Sequence, residues 1–311
     1  MKHFLTLLFN GLTLGAIYAL IALSFTMVYG VLKLINFAYA GLFTLGAYSA
    51  IWGLGVVGVT SSSTLALTAT IGLLVLALLG AMAFTGTIGT LVERVAYRPL
   101  RHAPLLAPLI SALGVVLILQ NGVLLVAGST PKFFPLDVSG GGLVIAGARL
   151  SALQITVVPL ALGLMVVLYA LVHRTHFGLG IRATADDIRT ARLMGIRTDR
   201  TIGLVFFLGS ALGGAAGVMY ALYYGTATYL MGYTPSIKAF TAAVIGGIGN
   251  IPGAVLGGFL LGLMESFAAG YSGSLTGGAI GPNYQDVFAF LILIAILTVK
   301  PTGLLGARIS R

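Results

Sequence analysis

The 311-residue chain contains no cysteine. Disulfides, iron–sulfur clusters and cysteine-type zinc sites are therefore excluded. It is also poor in charge: 17 basic and 7 acidic residues make up 8% of the total. A soluble domain carries about 25%, so a soluble fold of this size could not cover its surface. No G-x-x-x-x-G-K-[ST] run occurs, which excludes ATP hydrolysis by a P-loop. The four histidines (His3, His102, His173, His176) lie outside the apolar runs or at their ends and form no H-E-x-x-H spacing. That leaves no metal site and no intramembrane Ser–His protease. Asp186-Asp187 has no second acidic cluster to complete a metal-dependent transferase. No catalytic residue is expected.

What is present is apolar: 58% of residues, with a mean hydropathy of +1.06. This excludes a soluble enzyme, a nucleic-acid-binding module and a disordered chain. It predicts an all-α, polytopic helical bundle in an inner membrane, with about 8–10 transmembrane helices, some broken or re-entrant. The whole chain, 1–311, reads as a single transmembrane domain. The net charge of +10 is read as topology signal, because cytoplasmic loops concentrate Lys and Arg. Met1-Lys2-His3 precedes an apolar run without a convincing cleavage site, which reads as a retained span. The 44 glycines lie within the apolar runs as well as between them. They permit close helix approach and broken helices.

Candidate spans are Thr64–Leu91, Leu105–Ala127, Leu153–Val172, Ile202–Tyr224 and Val287–Val299. Phe4–Gly58 is long enough for two spans, interrupted near Gly30–Asn36. Two spans there put the N-terminus outside; three put it inside. Glu93–Arg101, Arg174–Arg200 and Lys300–Arg311 hold 12 of the 17 basic residues and are placed in the cytoplasm. The connection 128–152 is then external. So is the Gly-rich Tyr271–Tyr284. An even number of crossings must separate Arg200 from Lys300. Ile237–Tyr271, broken at Gly249-Asn250-Ile251-Pro252-Gly253, is therefore a re-entrant hairpin or two short spans. The hairpin is preferred, since Ile237–Gly249 is too short to cross alone.

The cytoplasmic stretch 174–200 carries its own helix signals. Thr184-Ala185-Asp186-Asp187 fits a capping box, with Asp186 and Asp187 favoured by the first-turn dipole. Asp186 and Arg189 form an i,i+3 pair, Arg192 follows, and Gly195 offers the left-handed stop after Met194. A helix over Ala185–Met194 is predicted. It is either a helix lying on the membrane surface or a docking element for a cytoplasmic partner.

Several motifs carry a family resemblance. They are Asn10–Leu20, Tyr29–Ala38 followed by Leu45–Tyr48, Ile181–Ala183, Ala191–Ile196 and Gly246–Ala254. Together, in order over nearly the whole chain, they resemble the inner-membrane permeases of branched-chain amino acid ABC importers, the LivH type. One departure is visible. Where relatives continue with His-Gly and an acidic residue, this chain has Tyr39-Ala40-Gly41. The resemblance implies a second, LivM-like permease, two ATP-binding subunits and a periplasmic substrate-binding protein. It implies no cofactor on this chain, with ATP and Mg on the partners, and no nucleic acid. It also implies that Thr184–Gly195 is the coupling element, with Thr184, Asp186, Asp187, Arg189, Arg192, Met194 and Gly195 as its residues.

An amino acid is a zwitterion with an apolar side chain, so its pathway needs hydrogen-bonding groups rather than strong fixed charge. The polar residues at the breaks, Asn36, Tyr39 and Asn250, are the candidates, followed by Gln120 and Asn121. Each is otherwise an interhelical hydrogen bond. Glu265, the only acid within the apolar stretches, is a functional candidate or one half of a structural pair. It is expected near the outer end, within reach of water. Urea, short amides or other amino acids remain alternative substrates, and an ion-coupled secondary transporter is the rival mechanism.

Overall fold

A computed structural model describes residues 2–59, 67–101, 103–104, 106–136, 142–145, 148–275, 285–300 and 302–306. The expected external loop Tyr271–Tyr284 lies mostly outside them, as does part of 128–152. Eleven α-helices are present among the described residues: α1 (Lys2–Leu32), α2 (Tyr39–Val56), α3 (Leu67–Val92), α4 (Leu106–Ala127), α5 (Ala152–Arg174), α6 (His176–Asp186), α7 (Ile188–Leu193), α8 (Thr198–Tyr224), α9 (Tyr233–Gly246), α10 (Ile251–Leu275) and α11 (Gln285–Val299). Four short strands accompany them: β1 (Lys132–Phe133), β2 (Gly142–Ile145), β3 (Ala148–Ser151) and β4 (Thr226–Ala227). β1 pairs antiparallel with β4, and β2 with β3.

Among the described residues, seven helices are long and apolar enough to cross a membrane. They are α1 to α5, α8 and α10, with α3 extended to Leu100 by a π turn and a 3-10 turn. α9 and α11, with 14 and 15 residues, are shorter limbs. The chain is thus a multi-pass, all-α membrane protein, as its composition requires.

α1 forms the centre and is buried without interruption over residues 13–28. It ends at Leu32 because Lys33 adopts the left-handed conformation, φ 55°. The Lys33 ammonium donates back to the Gly30 carbonyl at 2.9 Å, which helps satisfy the helix end. α2 then starts at Tyr39. The stretch Phe4–Gly58 therefore holds two spans.

The two ends of the bundle are distinguished by charge. At one end, Arg98 and Arg101 reach Asp199, each at 2.6 Å, and Asn250 Nδ2 donates to the Leu305 carbonyl at 2.7 Å. Described residues of all three basic stretches meet there, so that end is cytoplasmic. At the other end β1 meets β4, Tyr48 donates to the Ala227 carbonyl, and Gln154 from the start of α5 donates to Asn10 at 2.7 Å. The first residues of α1 belong to this outer end.

The break in the last third corrects the preferred hairpin. The turn between α9 and α10 is made by Gly247 and Gly249, with φ of +104° and +94°. Pro252 does not break a helix. It sits at the second position of α10, where its missing N–H costs nothing. α10 spans about 37 Å at 1.5 Å per residue, a full crossing. The turn lies at the cytoplasmic end, where the amides of Leu304 and Leu305 cap the carbonyls of Ile245 and Gly246 at 2.8 and 3.0 Å. The element is a pair of unequal limbs rather than a loop that dips and returns.

Candidate functional site

Two regions gather chemistry. The first is the cytoplasmic connection between α5 and α8. Its helix is not the one that the capping signals predict. Thr175 accepts from the Gly178 amide at 3.1 Å and starts α6 much earlier. Thr184 is consequently buried inside α6, donating to the Gly180 carbonyl at 2.7 Å, and caps nothing. Asp186 ends α6. Asp187, extended at φ −154° and ψ 115°, is the real cap: it accepts from the Arg189 amide at 2.8 Å and the Thr190 hydroxyl at 2.5 Å. Asp caps more strongly than Thr, so the start of the second helix moves three residues on. Asp186 and Arg189 now sit on different helices, and among the described residues no ion pair joins them.

The short α7 ends as the sequence requires, with Gly195 at φ +82°. Ala191 anchors it in the bundle, and Arg192 donates to Thr198 Oγ1 at 3.3 Å. Leu193 and Met194 project outward, 81% and 79% exposed. An apolar tip on a rigid, capped corner is thus offered to the cytoplasm. The Thr190 hydroxyl and then the Arg189 amide hold the Asp187 carboxyl below its ordinary range. A lowered folded-state value means the contribution is present above the usual carboxylate range and lost as pH falls through it. Asp187→Ala is therefore expected to raise hydrogen exchange in Ile188–Leu193 while leaving the melting temperature of the bundle unchanged. Unaltered exchange there would show that the cap is dispensable.

The second region lies within the spans. Glu265 is fully buried rather than water-accessible. It lies about 21 Å along α10 from the cytoplasmic end. Lys238 of α9 donates to Glu265 Oε1 at 2.7 Å, and its ammonium is also 2.7 Å from Asp286 Oδ1 at the head of α11. The same ammonium stands 5.8 Å from the Tyr18 ring centre. One cation thus ties α1, α9, α10 and α11 together. Of its three charged members, the sequence pointed only to Glu265. A lysine inside an apolar stretch is as costly as a glutamate, and pairing Lys238 with Glu265 was the signal available.

The remaining candidates do not converge. Asn36 Oδ1 accepts from the Ala38 amide at 2.9 Å and the Tyr97 hydroxyl at 2.5 Å, which pins the α1–α2 corner. Tyr39, beside it in the chain, is buried with its hydroxyl unpartnered against Gly209. Gln120 is buried on α4 with Nε2 free. Asn121 points outward and donates to Leu117 of its own helix at 2.8 Å. Asn250 accepts from the Gly253 amide at 3.3 Å and holds the tail. Asn36 and Asn250 thus sit toward the cytoplasmic end, and Glu265 in the outer half. The buried ion pair between Glu93 and Arg101, with Arg101 also holding Asp199, is a further polar centre not foreseen from sequence.

Residues 7–297 match the family described as the permease component of branched-chain amino acid transport systems. The chain is 39% identical over 308 residues to the high-affinity branched-chain amino acid transport system permease protein BraD of Pseudomonas aeruginosa, covering 98% of this chain and 96% of that protein. It is 38% identical over 311 residues to LivH of Escherichia coli K12, with the same two coverages. A solved ABC transporter in an inward-facing conformation shares the fold, with a TM-score of 0.50 at 17% identity, covering 94% of this chain and 87% of that one. The chain belongs to the family of branched-chain amino acid transport system permeases.

Proposed function

We propose that this chain is the inner-membrane permease subunit of an ABC importer that carries branched-chain amino acids. The observation that carries the reading is its near-full-length similarity to BraD and LivH. In this reading residues 1–311 act as one permease domain beside a second, LivM-like permease. Two ATP-binding subunits bind ATP and Mg, and a periplasmic binding protein delivers substrate. The chain itself makes and breaks no bonds.

The α6–α7 corner is the coupling element. Leu193 and Met194 enter an apolar groove on an ATP-binding subunit. The caps at Asp187 and Gly195 and the hydrogen bond from Arg192 to Thr198 pass its displacement to α8. The permeases then rock between outward- and inward-open states, with ATP and binding protein favouring different states. Polar groups without a fixed partner, the Tyr39 hydroxyl and Gln120 amide first, serve the substrate along the way.

The assembled transporter in vesicles, supplied with binding protein, tests this. ATP is expected to drive leucine uptake that isoleucine and valine compete for and ionophores leave intact. Leu193→Asp with Met194→Asp is expected to abolish uptake and the co-purification of ATP-binding subunits, while membrane insertion continues. Uptake without the ATP-binding subunits, or competition by urea but not by valine, overturns the reading.

A further inference from the structure

A groove of about 1040 Å³ opens at the cytoplasmic end between α3 and α8. Its rim carries five arginines: Arg94, Arg98, Arg192, Arg197 and Arg200. Two acids, Glu93 and Asp199, share the lining, but both are already engaged. Arg101 pairs with Glu93, while Arg98 and Arg101 hold the two oxygens of Asp199 at 2.6 Å each. Arg192 is directed to the Thr198 hydroxyl. Among the described residues, Arg94, Arg197 and Arg200 have no carboxylate partner. The groove thus keeps more cationic groups on its rim than its own two carboxylates engage.

Below the rim its walls turn apolar. Gly203, Leu204 and Phe207 of α8 face Thr90 of α3, all within spans. A second trough of about 430 Å³ adjoins it, sharing Arg197, Arg200 and Leu204. Its wall is formed by Phe177 and Leu179, which are 72% and 57% exposed. Leu91 and Val95 on the outer face of α3 are likewise exposed. An anion-seeking rim at the cytoplasmic boundary therefore adjoins the apolar trough and the apolar side of α8.

We propose that this groove binds an anionic phospholipid of the cytoplasmic leaflet. Its phosphate sits among Arg94, Arg197 and Arg200, and its acyl chains run along Phe207 and the Phe177–Leu179 wall. Basic pockets between transmembrane helices on the cytoplasmic side suit such headgroups. An acidic protein segment would answer the charge but leave apolar walls at bilayer depth uncovered; a phospholipid answers both. The coupling tip at Leu193 and Met194 is not used, so the proposal does not depend on the transported substrate.

The test is lipid retention by the purified full-length chain. The protein is reconstituted in phosphatidylcholine nanodiscs containing a minor share of phosphatidylglycerol, extracted into detergent, and its bound lipid is measured by mass spectrometry. Phosphatidylglycerol is expected to be retained selectively. Arg94→Gln, Arg197→Gln and Arg200→Gln together are expected to weaken retention on the order of 100-fold, at about fivefold for each arginine. Arg200→Gln alone, expected to lose about fivefold, serves if the triple variant does not fold. Lys300→Gln, remote from the groove, is expected to retain the lipid. Equal retention by the arginine variants overturns the proposal. So does displacement by inorganic phosphate, which would make the site one for free anions. Loss of the lipid on adding ATP-binding subunits overturns it too, and assigns the groove to an acidic partner segment.

Discussion

Lys238→Gln is expected to destabilise the bundle by about 3–5 kcal/mol, far more than Glu265→Gln, because stranding a buried charge costs more than losing a pair. The asymmetry follows from the count at the cluster, one cation against two carboxylates. Without Lys238, Glu265 faces Asp286 with nothing between them. Glu265 is fully buried, and its Oε2 already lacks a partner. Its charge is then left without a cation in an apolar surrounding. Without the Glu265 charge, Lys238 keeps Asp286 and the glutamine oxygen still accepts. The double variant Lys238→Gln with Glu265→Gln is expected to recover much of the single loss, since residues in one network couple strongly. Melting temperatures of the three variants in one detergent decide it. An equal loss for both single variants would mean that Lys238 is not the hub. Uptake separates roles further: a purely structural Glu265 predicts that Glu265→Gln transports in proportion to its folded fraction, whereas a substrate contact predicts lost uptake in a protein that melts normally.

The same cluster shows what sequence reading reaches and where it stops. Span positions were legible because each apolar run must satisfy its backbone within one segment. The ends of α4, α5 and α8 accordingly fall within a few residues of the runs. Topology was legible because arginines and lysines collect on one side. Pairing across the bundle was not. That Lys238 meets Glu265, 27 residues away, depends on α9 and α10 lying side by side, and hydropathy carries no such information. Local signals also compete. Thr184 and Asp187 each satisfy a capping rule, and the choice fell to Asp187 because Thr175 had already begun a helix that runs through Thr184. Likewise Pro252 reads as a breaker until the turn is seen to end just before it. The separation of Asn36 and Asn250 from any common site has the same origin: a polar residue at a break is often there to close the break.

Gly258→Leu is expected to prevent α1 and α10 from packing, at a cost of about 3 kcal/mol or more, at or beyond the upper end of core overpacking. Gly11, Gly15 and Ala19 recur every four residues on α1, and Gly258, Gly262, Ser266 and Gly270 do so on α10. The two rows face one another in antiparallel register. A Cβ on Gly15 would lie 2.8 Å from the Phe259 Cα, and one on Gly11 2.9 Å from the Leu263 Cα. A Cβ on Gly258 meets the backbone of Ala19. Backbone cannot rotate away as a flexible side chain does, so a bulky substitution must push the helices apart. α1 has little room to move, being enclosed over residues 13–28. Hydrophobicity does not confound the result, because lipid tails are as apolar as leucine, so close packing carries much of the association. Gly163→Leu is the matched control: on α5 a Cβ there meets nothing within 4 Å. That variant is expected to stay within about 0.5 kcal/mol of the parent, as surface substitutions do. Size-exclusion profiles and melting curves of the two variants compare a glycine required by close approach with one that is merely present. Similar behaviour would mean that the α1–α10 seam is not held by small residues.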